Sequence, residues 1–174
     1  MTKDDIQKQA LDSWIDNGCS GVVVMTMGSG KGKLFIDAIK NIKPAKVLIV
    51  SPRTNLKENT LPTELLKWGK YLRQLLPNTY LYGWDTDTVE YQCYVTIQII
   101  QTCYKWYREV VNKYDLIIID EAHLVISQEY SSIVVKALQL KKKILGLTGT
   151  PNKSEEFKAQ FYNCLLYTSD AADE

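Results

Sequence analysis

Leu116, Ile117, Ile118 and Ile119 form an unbroken run of branched aliphatic side chains that stops at two adjacent carboxylates, Asp120 and Glu121. A strand with one wet face alternates apolar and polar residues. A run without alternation suits a strand covered on both faces, as in a parallel sheet held between two helical layers. Ligands of open α/β sheets bind just beyond the carboxyl ends of the strands, so both acids are placed where chemistry can occur. On these residues alone a solvated acidic turn accounts for them equally well. The choice rests on the remainder of the chain.

Upstream, Ile6, Ala10, Leu11, Trp14 and Ile15 recur at helical spacing within Asp5 to Asn17, and Gly18 ends the pattern. Gly21 to Met25 reads as a Val-rich strand. Gly28-Ser29-Gly30-Lys31 follows, and then a helical pattern through Leu34, Phe35, Ala38 and Ile39. Strand, glycine loop and helix together are what a phosphate-binding loop requires. Glycines let consecutive backbone N–H groups turn toward one anion, the helix N-terminus adds partial positive charge, and Lys31 reaches the terminal phosphates. A flexible strand-to-helix turn is the competing account. The usual pattern places Ser or Thr after the lysine, to put a hydroxyl on Mg²⁺; here the residue is Gly32. The first glycine of the longer pattern is replaced by Met25. Mg²⁺ readily keeps several waters, so binding is expected to survive Gly32 better than turnover does.

Lys46 to Val50 reads as a second strand, ended by Ser51-Pro52-Arg53-Thr54. The leucine spacing of Leu61 to Leu76 predicts an amphipathic helix stopped by Pro77-Asn78. Tyr80 to Trp84 predicts a short strand and Asp85 to Glu90 a loop. Tyr91 to Thr96 predicts a strand leading into a helix that runs toward Val111. Tyr104, Trp106 and Tyr107 could stack on bases, but their helical spacing favours core packing. Ile133 to Leu140 predicts a further helix, Lys141-Lys142-Lys143 a solvated helix end, and Ile144 to Leu147 a strand that ends in Thr148-Gly149-Thr150-Pro151. Alternating strands and helices argue for an α/β domain with a mainly parallel central sheet and helices on both faces.

At 174 residues the chain is one domain by length. No apolar run approaches a membrane span and the first residues carry no signal-peptide pattern, so a cytoplasmic protein is expected. Cys19, Cys93, Cys103 and Cys164 lack metal-ligand spacing and read as small apolar residues. Residues Cys164 to Glu174 resemble the translation of a transposase-based sequencing adapter and are set aside from the fold, which leaves 1–163 as the domain. Without Asp170, Asp173 and Glu174, 17 acids face 21 bases, and the net charge moves from +1 to +4. That balance permits a polyanionic partner without demanding one.

Taken in order, the glycine loop, Pro52-Arg53-Thr54, Val95-Thr96-Ile97-Gln98, Asp120-Glu121-Ala122-His123 and Thr148-Gly149-Thr150-Pro151 resemble the first RecA-like P-loop NTPase domain of superfamily-two helicases and translocases. Within that superfamily the set looks most like phage and restriction-type DNA helicases. Ile6-Gln7 looks like the segment that precedes the loop in many members. The resemblance implies that Gln7, Gly28, Ser29, Gly30, Lys31 and Gly32 hold ATP, that Asp120 holds Mg²⁺, and that Glu121 activates the attacking water with Lys31 assisting. His123, Thr148, Gly149 and Thr150 would couple nucleotide state to the nucleic-acid path, and Arg53, Thr54 and Thr96 would contact the nucleic-acid backbone. For Arg53 a solvated loop charge competes. DNA is the expected partner, with RNA the other candidate, and a second RecA-like domain is implied but missing from this chain. Two other functions fit the same residues: a nucleotide-dependent nucleic-acid binder whose Gly32 impairs hydrolysis, and a standalone P-loop ATPase.

Overall fold

The structure is a computed structural model that describes residues 2–26, 30–52, 61–68, 70–84, 91–126, 130–149 and 165–167. Eight strands form one sheet in the order β3-β4-β5-β2-β6-β7-β1-β8. The strands are β1 (Ser20–Val24), β2 (Lys46–Ser51), β3 (Lys70–Leu76), β4 (Thr79–Trp84), β5 (Tyr91–Ile99), β6 (Leu116–Asp120), β7 (Lys143–Thr148) and β8 (Leu165–Tyr167). From β5 to β8 in that order every pairing is parallel, whereas β3-β4 and β4-β5 are antiparallel. The helices are α1 (Lys3–Asp16), α2 (Lys31–Ile42), α3 (Leu61–Trp68), α4 (Ile100–Lys105), α5 (Tyr107–Lys113) and α6 (Ser131–Gln139).

The aliphatic run behaves as its lack of alternation requires. Leu116 and Ile118 point into one core, with Trp14 of α1, Leu34, Phe35 and Ile39 of α2, and Leu61 and Leu65 of α3. Ile117 and Ile119 point into the other, with Ile100 and Cys103 of α4, Val111 of α5, and Ile133, Val134 and Ala137 of α6. All four side chains of the run are at most 1% exposed. Burial of that kind contributes about 1.5–3 kcal/mol per side chain. Cys19, Cys93 and Cys103 are buried thiols outside any disulfide among the described residues, and burial pushes the Cys93 thiol up to about 12, which keeps it protonated and inert.

α1 is fixed at both ends. Thr2 and Asp5 exchange bonds as a capping box, Asp5 N donating to Thr2 Oγ1 at 3.2 Å and Thr2 N to Asp5 Oδ2 at 2.8 Å. At the other end Cys19 N donates to Trp14 O at 3.0 Å and Gly18 N to Ile15 O at 2.9 Å, the paired closure of a Schellman motif. The fully buried Trp14 then donates Nε1–H to Ile144 O at 2.9 Å and so ties α1 to β7.

The sequence expectations fail in two places. The helix expected over 61–76 stops at Trp68, and Lys70–Leu76 forms β3 instead. Its apolar face runs out after Leu65: Leu66, Leu72 and Leu76 are 48%, 41% and 64% exposed. Pro77 and Asn78, read as a helix stop, form a two-residue hairpin turn between Leu76 and Thr79, with Asn78 at φ 66. Proline fixes φ in the first turn position and asparagine tolerates the left-handed second, so the turn brings β3 back along β4. The second difference lies at 91–113. β5 continues to Ile99, and the helix that follows is interrupted at Trp106 (φ −124, ψ 29). The break lets Tyr104 and Tyr107 pack on the core while Trp106 turns outward, 62% exposed, against the core packing expected of it. The expected loop Asp85 to Glu90 lies outside the described residues. Leu165–Tyr167, set aside as tail, occupies the outer edge of β1.

Candidate functional site

The parallel strands deliver their carboxyl ends to one edge, and there β7 lies between β1 and β6. Val24 stands opposite Thr148 and Asp120 opposite Leu147, so the end of β1, the acidic pair and the Thr148-Gly149 end are brought together by register alone. The close spacing depends on Gly146. A Cβ there would lie 2.8 Å from Val22 Cγ2 and 3.0 Å from Ala122 Cβ. With hydrogen in its place, the 3-10 turn Ala122–Ile126 settles directly on the sheet.

Glu121 has φ 50, a left-handed conformation that a non-glycine residue adopts at some cost. The turn directs its carboxylate back over the edge. Glu121 Oε1 is 3.2 Å from Lys31 Nζ and Oε2 is 3.4 Å from His123 Nδ1. His123 Nδ1 also lies 2.8 Å from Thr148 Oγ1, and Thr148 is fully buried. A continuous polar chain therefore runs Lys31, Glu121, His123, Thr148. Beside it, Asp120 Oδ1 accepts the Glu121 N–H at 3.1 Å. Burial, and then the neighbouring Glu121 charge, push the Asp120 carboxyl up to about 6, with Lys31 pulling the other way.

The N-terminus of α2 faces the same edge. Gly30, its cap residue, has φ 94 and no side-chain cap bond. Gln7, 2% exposed, lies so close that a Cβ on Gly30 would fall 2.0 Å from its Nε2. Only glycine fits both the backbone angle and that contact. Lys33 Nζ donates to Gln7 Oε1 and to Asp4 Oδ1, each at 3.1 Å. Gln7, Gly30, Gly32 and Lys33 line a cavity of about 370 Å³ with Lys3, Asp4 and Lys67. Lys33 and Asp4 were not singled out from the sequence. Their signal was the three-residue spacing of Asp4 and Gln7, which puts both on one face of α1.

These residues fit a magnesium nucleotide. Among the described residues no three metal-ligating side chains gather. A single carboxylate with phosphate oxygens and water is, however, how Mg²⁺ is commonly held. An acid kept partly protonated by burial and by a neighbouring acid is one that a cation would relieve. Met25 in place of a glycine is fully buried in the core.

Gly28, Ser29, Arg53, Thr54 and Thr150 fall outside the described residues. Thr96 is three residues inside β5 instead of at its end, 7% exposed, with Oγ1 3.1 Å from Thr79 Oγ1. Its hydroxyl is engaged within the sheet.

A family model described as Type III restriction enzyme, res subunit (ResIII) matches residues 1–153. The chain belongs to this family. Consistent with ResIII membership, it is 26% identical over 163 residues to the DNA 3'-5' translocase XPB2 of Sulfurisphaera tokodaii, a match that spans 93% of this chain and 34% of that protein. Among solved structures, the UvsW helicase from bacteriophage T4 superposes with a TM-score of 0.66 at 15% identity, covering 93% of this chain and 58% of that one. The Sulfolobus solfataricus SWI2/SNF2 ATPase core, solved in complex with dsDNA, superposes at 0.62 and 21% identity, over 91% and 34% of the two chains. These likenesses show the RecA-like helicase fold for the ResIII chain, which spans about a third of the length of the translocase it matches. Among the described residues no helix is long and apolar enough to cross a membrane.

Proposed function

We propose that this chain is the first motor domain of an ATP-dependent DNA helicase or translocase. The observation that carries the reading is the Lys31–Glu121–His123–Thr148 chain, which links the phosphate-loop lysine to the end of β7 through contacts of 3.2, 3.4 and 2.8 Å. The backbone of the glycine loop and Lys31 would hold the ATP phosphates, Gln7 the base end of the nucleotide in the adjoining cavity, and Asp120 the Mg²⁺. Bound Mg²⁺ neutralises charge that develops on the transferred phosphoryl group.

Glu121, held over the edge by its left-handed backbone, would orient water and take its proton. Once phosphate claims Lys31, the Glu121 carboxylate keeps His123 as neighbour, and a change at Glu121 is passed to Thr148. That is a physical route from nucleotide state to β7. Gly149 and Thr150, next along the chain, would carry it to DNA, with Arg53 and Thr54 as further contacts. A stabilising arginine from a second RecA-like domain is worth about a thousandfold or more in related enzymes, so hydrolysis by this chain alone is expected to be slow.

Phosphate release by the purified chain, with and without DNA, tests the reading. DNA-stimulated hydrolysis that disappears in Lys31→Ala supports it. Nucleotide and DNA binding without turnover, with turnover restored by Gly32→Ser, favours the impaired binder, and hydrolysis indifferent to DNA favours a standalone ATPase.

A further inference from the structure

The helices on the Ile117 face are basic. α4, α5 and α6 contribute Lys105, Arg108, Lys113 and Lys136 against a single acid, Glu109, whereas α1 on the opposite face carries Asp4, Asp5, Asp12 and Asp16 against Lys3 and Lys8. Some bases of this layer have structural work. Lys142 Nζ donates to Tyr114 O at 3.0 Å and Asn112 O at 3.3 Å, closing the end of α5, and Lys113 Nζ sits 6.0 Å from the Tyr114 ring centroid.

Arg108 and Lys136 face a cleft instead. Among the described residues neither forms an ion pair, yet they come from facing helices to line one cleft of about 370 Å³, with Tyr107, Ser132, Val135 and Gln139. Ser132, Val135, Lys136 and Gln139 recur at three- and four-residue steps, so α6 presents a single face to it. Arg108 is held in place: Nε donates to Tyr107 Oη at 3.1 Å and the guanidinium carbon lies 5.6 Å from the ring centroid. Those contacts use one of its five donors and leave the fork available. Lys105 and Lys141, both exposed, adjoin the cleft along the chain.

We infer that the α5–α6 cleft is a second nucleic-acid backbone site, in which Arg108 and Lys136 hold phosphates of a duplex outside the nucleotide edge. Two cations that form no ion pair among the described residues, with an amide beside them on one concave surface, offer donors to phosphate oxygens, and contacts to phosphate carry no base sequence. Such a site would keep the motor on its track while the nucleotide edge changes state. The inference rests on the proposed nucleic-acid partner.

The test is binding of a labelled duplex to the full chain across a salt series. Each phosphate contact contributes about 0.9 to the slope of log K against log salt, so Arg108→Gln with Lys136→Gln should lower the slope by about 1.8. The charge-preserving pair Arg108→Lys with Lys136→Arg should keep it, and the equally neutralising control Lys40→Gln with Lys46→Gln, exposed and outside the cleft, should leave it unchanged. Thermal unfolding confirms that the variants fold. Parental binding with an unaltered slope in the cleft variant, or an equal loss in the control, overturns the cleft and leaves the proposed function standing. Failure of the parent to bind duplex overturns both. Cleft-dependent binding to phosphatidylserine vesicles without duplex binding overturns the nucleic-acid assignment in favour of a lipid surface.

Discussion

Lys31 Nζ stands 3.2 Å from Glu121 Oε1, and each holds the other's charge. A phosphate drawn to Lys31 must displace Glu121. Glu121→Gln weakens that competition with little change of shape. Nucleotide affinity should stay level or tighten, while ATP turnover falls by about 100-fold or more. Titration of a fluorescent nucleotide beside steady-state phosphate release checks this; equal losses in both would remove Glu121 from the role of base.

Asp120 predicts an unusual pH dependence. Its carboxyl titrates at about 6 in the fold against 3.8 ordinarily, chiefly through burial. The folded state therefore binds the proton more tightly than the unfolded one. Stability falls as pH rises from about 4 to 6, and the ionised acid costs about 3 kcal/mol above that window. Asp120→Asn should relieve the cost, raising the melting temperature at pH 7.5 without metal and flattening its change between pH 4 and 6. The same variant should lose the magnesium dependence of nucleotide binding. A melting temperature that drops at pH 7.5 would show that the Lys31 attraction outweighs burial.

His123 and Thr148 share a 2.8 Å contact at the end of β7. Thr148→Val preserves the shape of a fully buried side chain and deletes only the hydroxyl. Stability should change by about 1 kcal/mol, the contribution of an ordinary hydrogen bond, and nucleotide affinity little. Stimulation of hydrolysis by DNA should fall, because the step from Glu121 to β7 is broken. Undiminished stimulation would place the coupling elsewhere.

Gly146→Ala should destabilise the fold by about 1–3 kcal/mol, because its methyl meets both Val22 and Ala122. Denaturant unfolding measures the loss, and Val22→Ala in the same chain should recover part of it. If the single variant is neutral, the turn carrying Ala122 can shift at no cost.

Gly32→Ser would place a hydroxyl one residue after Lys31, where phosphate loops usually carry one. Magnesium-dependent nucleotide binding should tighten or hydrolysis rise. Unchanged magnesium titrations would mean that water or another residue already serves that position.

The elements of the parallel sheet from β5 to β1 were legible because their signals are local, whereas β8 lies in the stretch set aside as tail. Buried strands such as Leu116–Ile119 admit only branched aliphatics, and the acidic pair marks where the run must leave the core. The 61–76 segment misled because its leucines satisfy a helical period as well as a strand's, and only pairing with β4 decides between them. Trp106 was read from spacing that assumes an unbroken helix. In the site, the residue types were readable but not the contacts. The left-handed Glu121, the Gln7 amide over Gly30 and the missing Cβ at Gly146 arise from elements that meet in space after long separations in sequence. No window of neighbouring residues contains them.

The placement of β7 between β1 and β6 also sets when the site can exist. Ser20 pairs with Ile144, 124 residues further on, and β1 has no inner neighbour until that strand arrives. At about 5–20 residues per second, a ribosome needs on the order of 6–25 s to make the intervening chain. Through that interval β1 and the glycine loop are a hydrophobic strand with both edges open, a template for wrong pairing. β2, β5 and β6 are synthesised before β7 and can pair among themselves first. The inner side of β1, where the nucleotide edge forms, therefore closes only after β2, β5 and β6 are made, and its assembly during translation is the step that a chaperone would have most reason to guard.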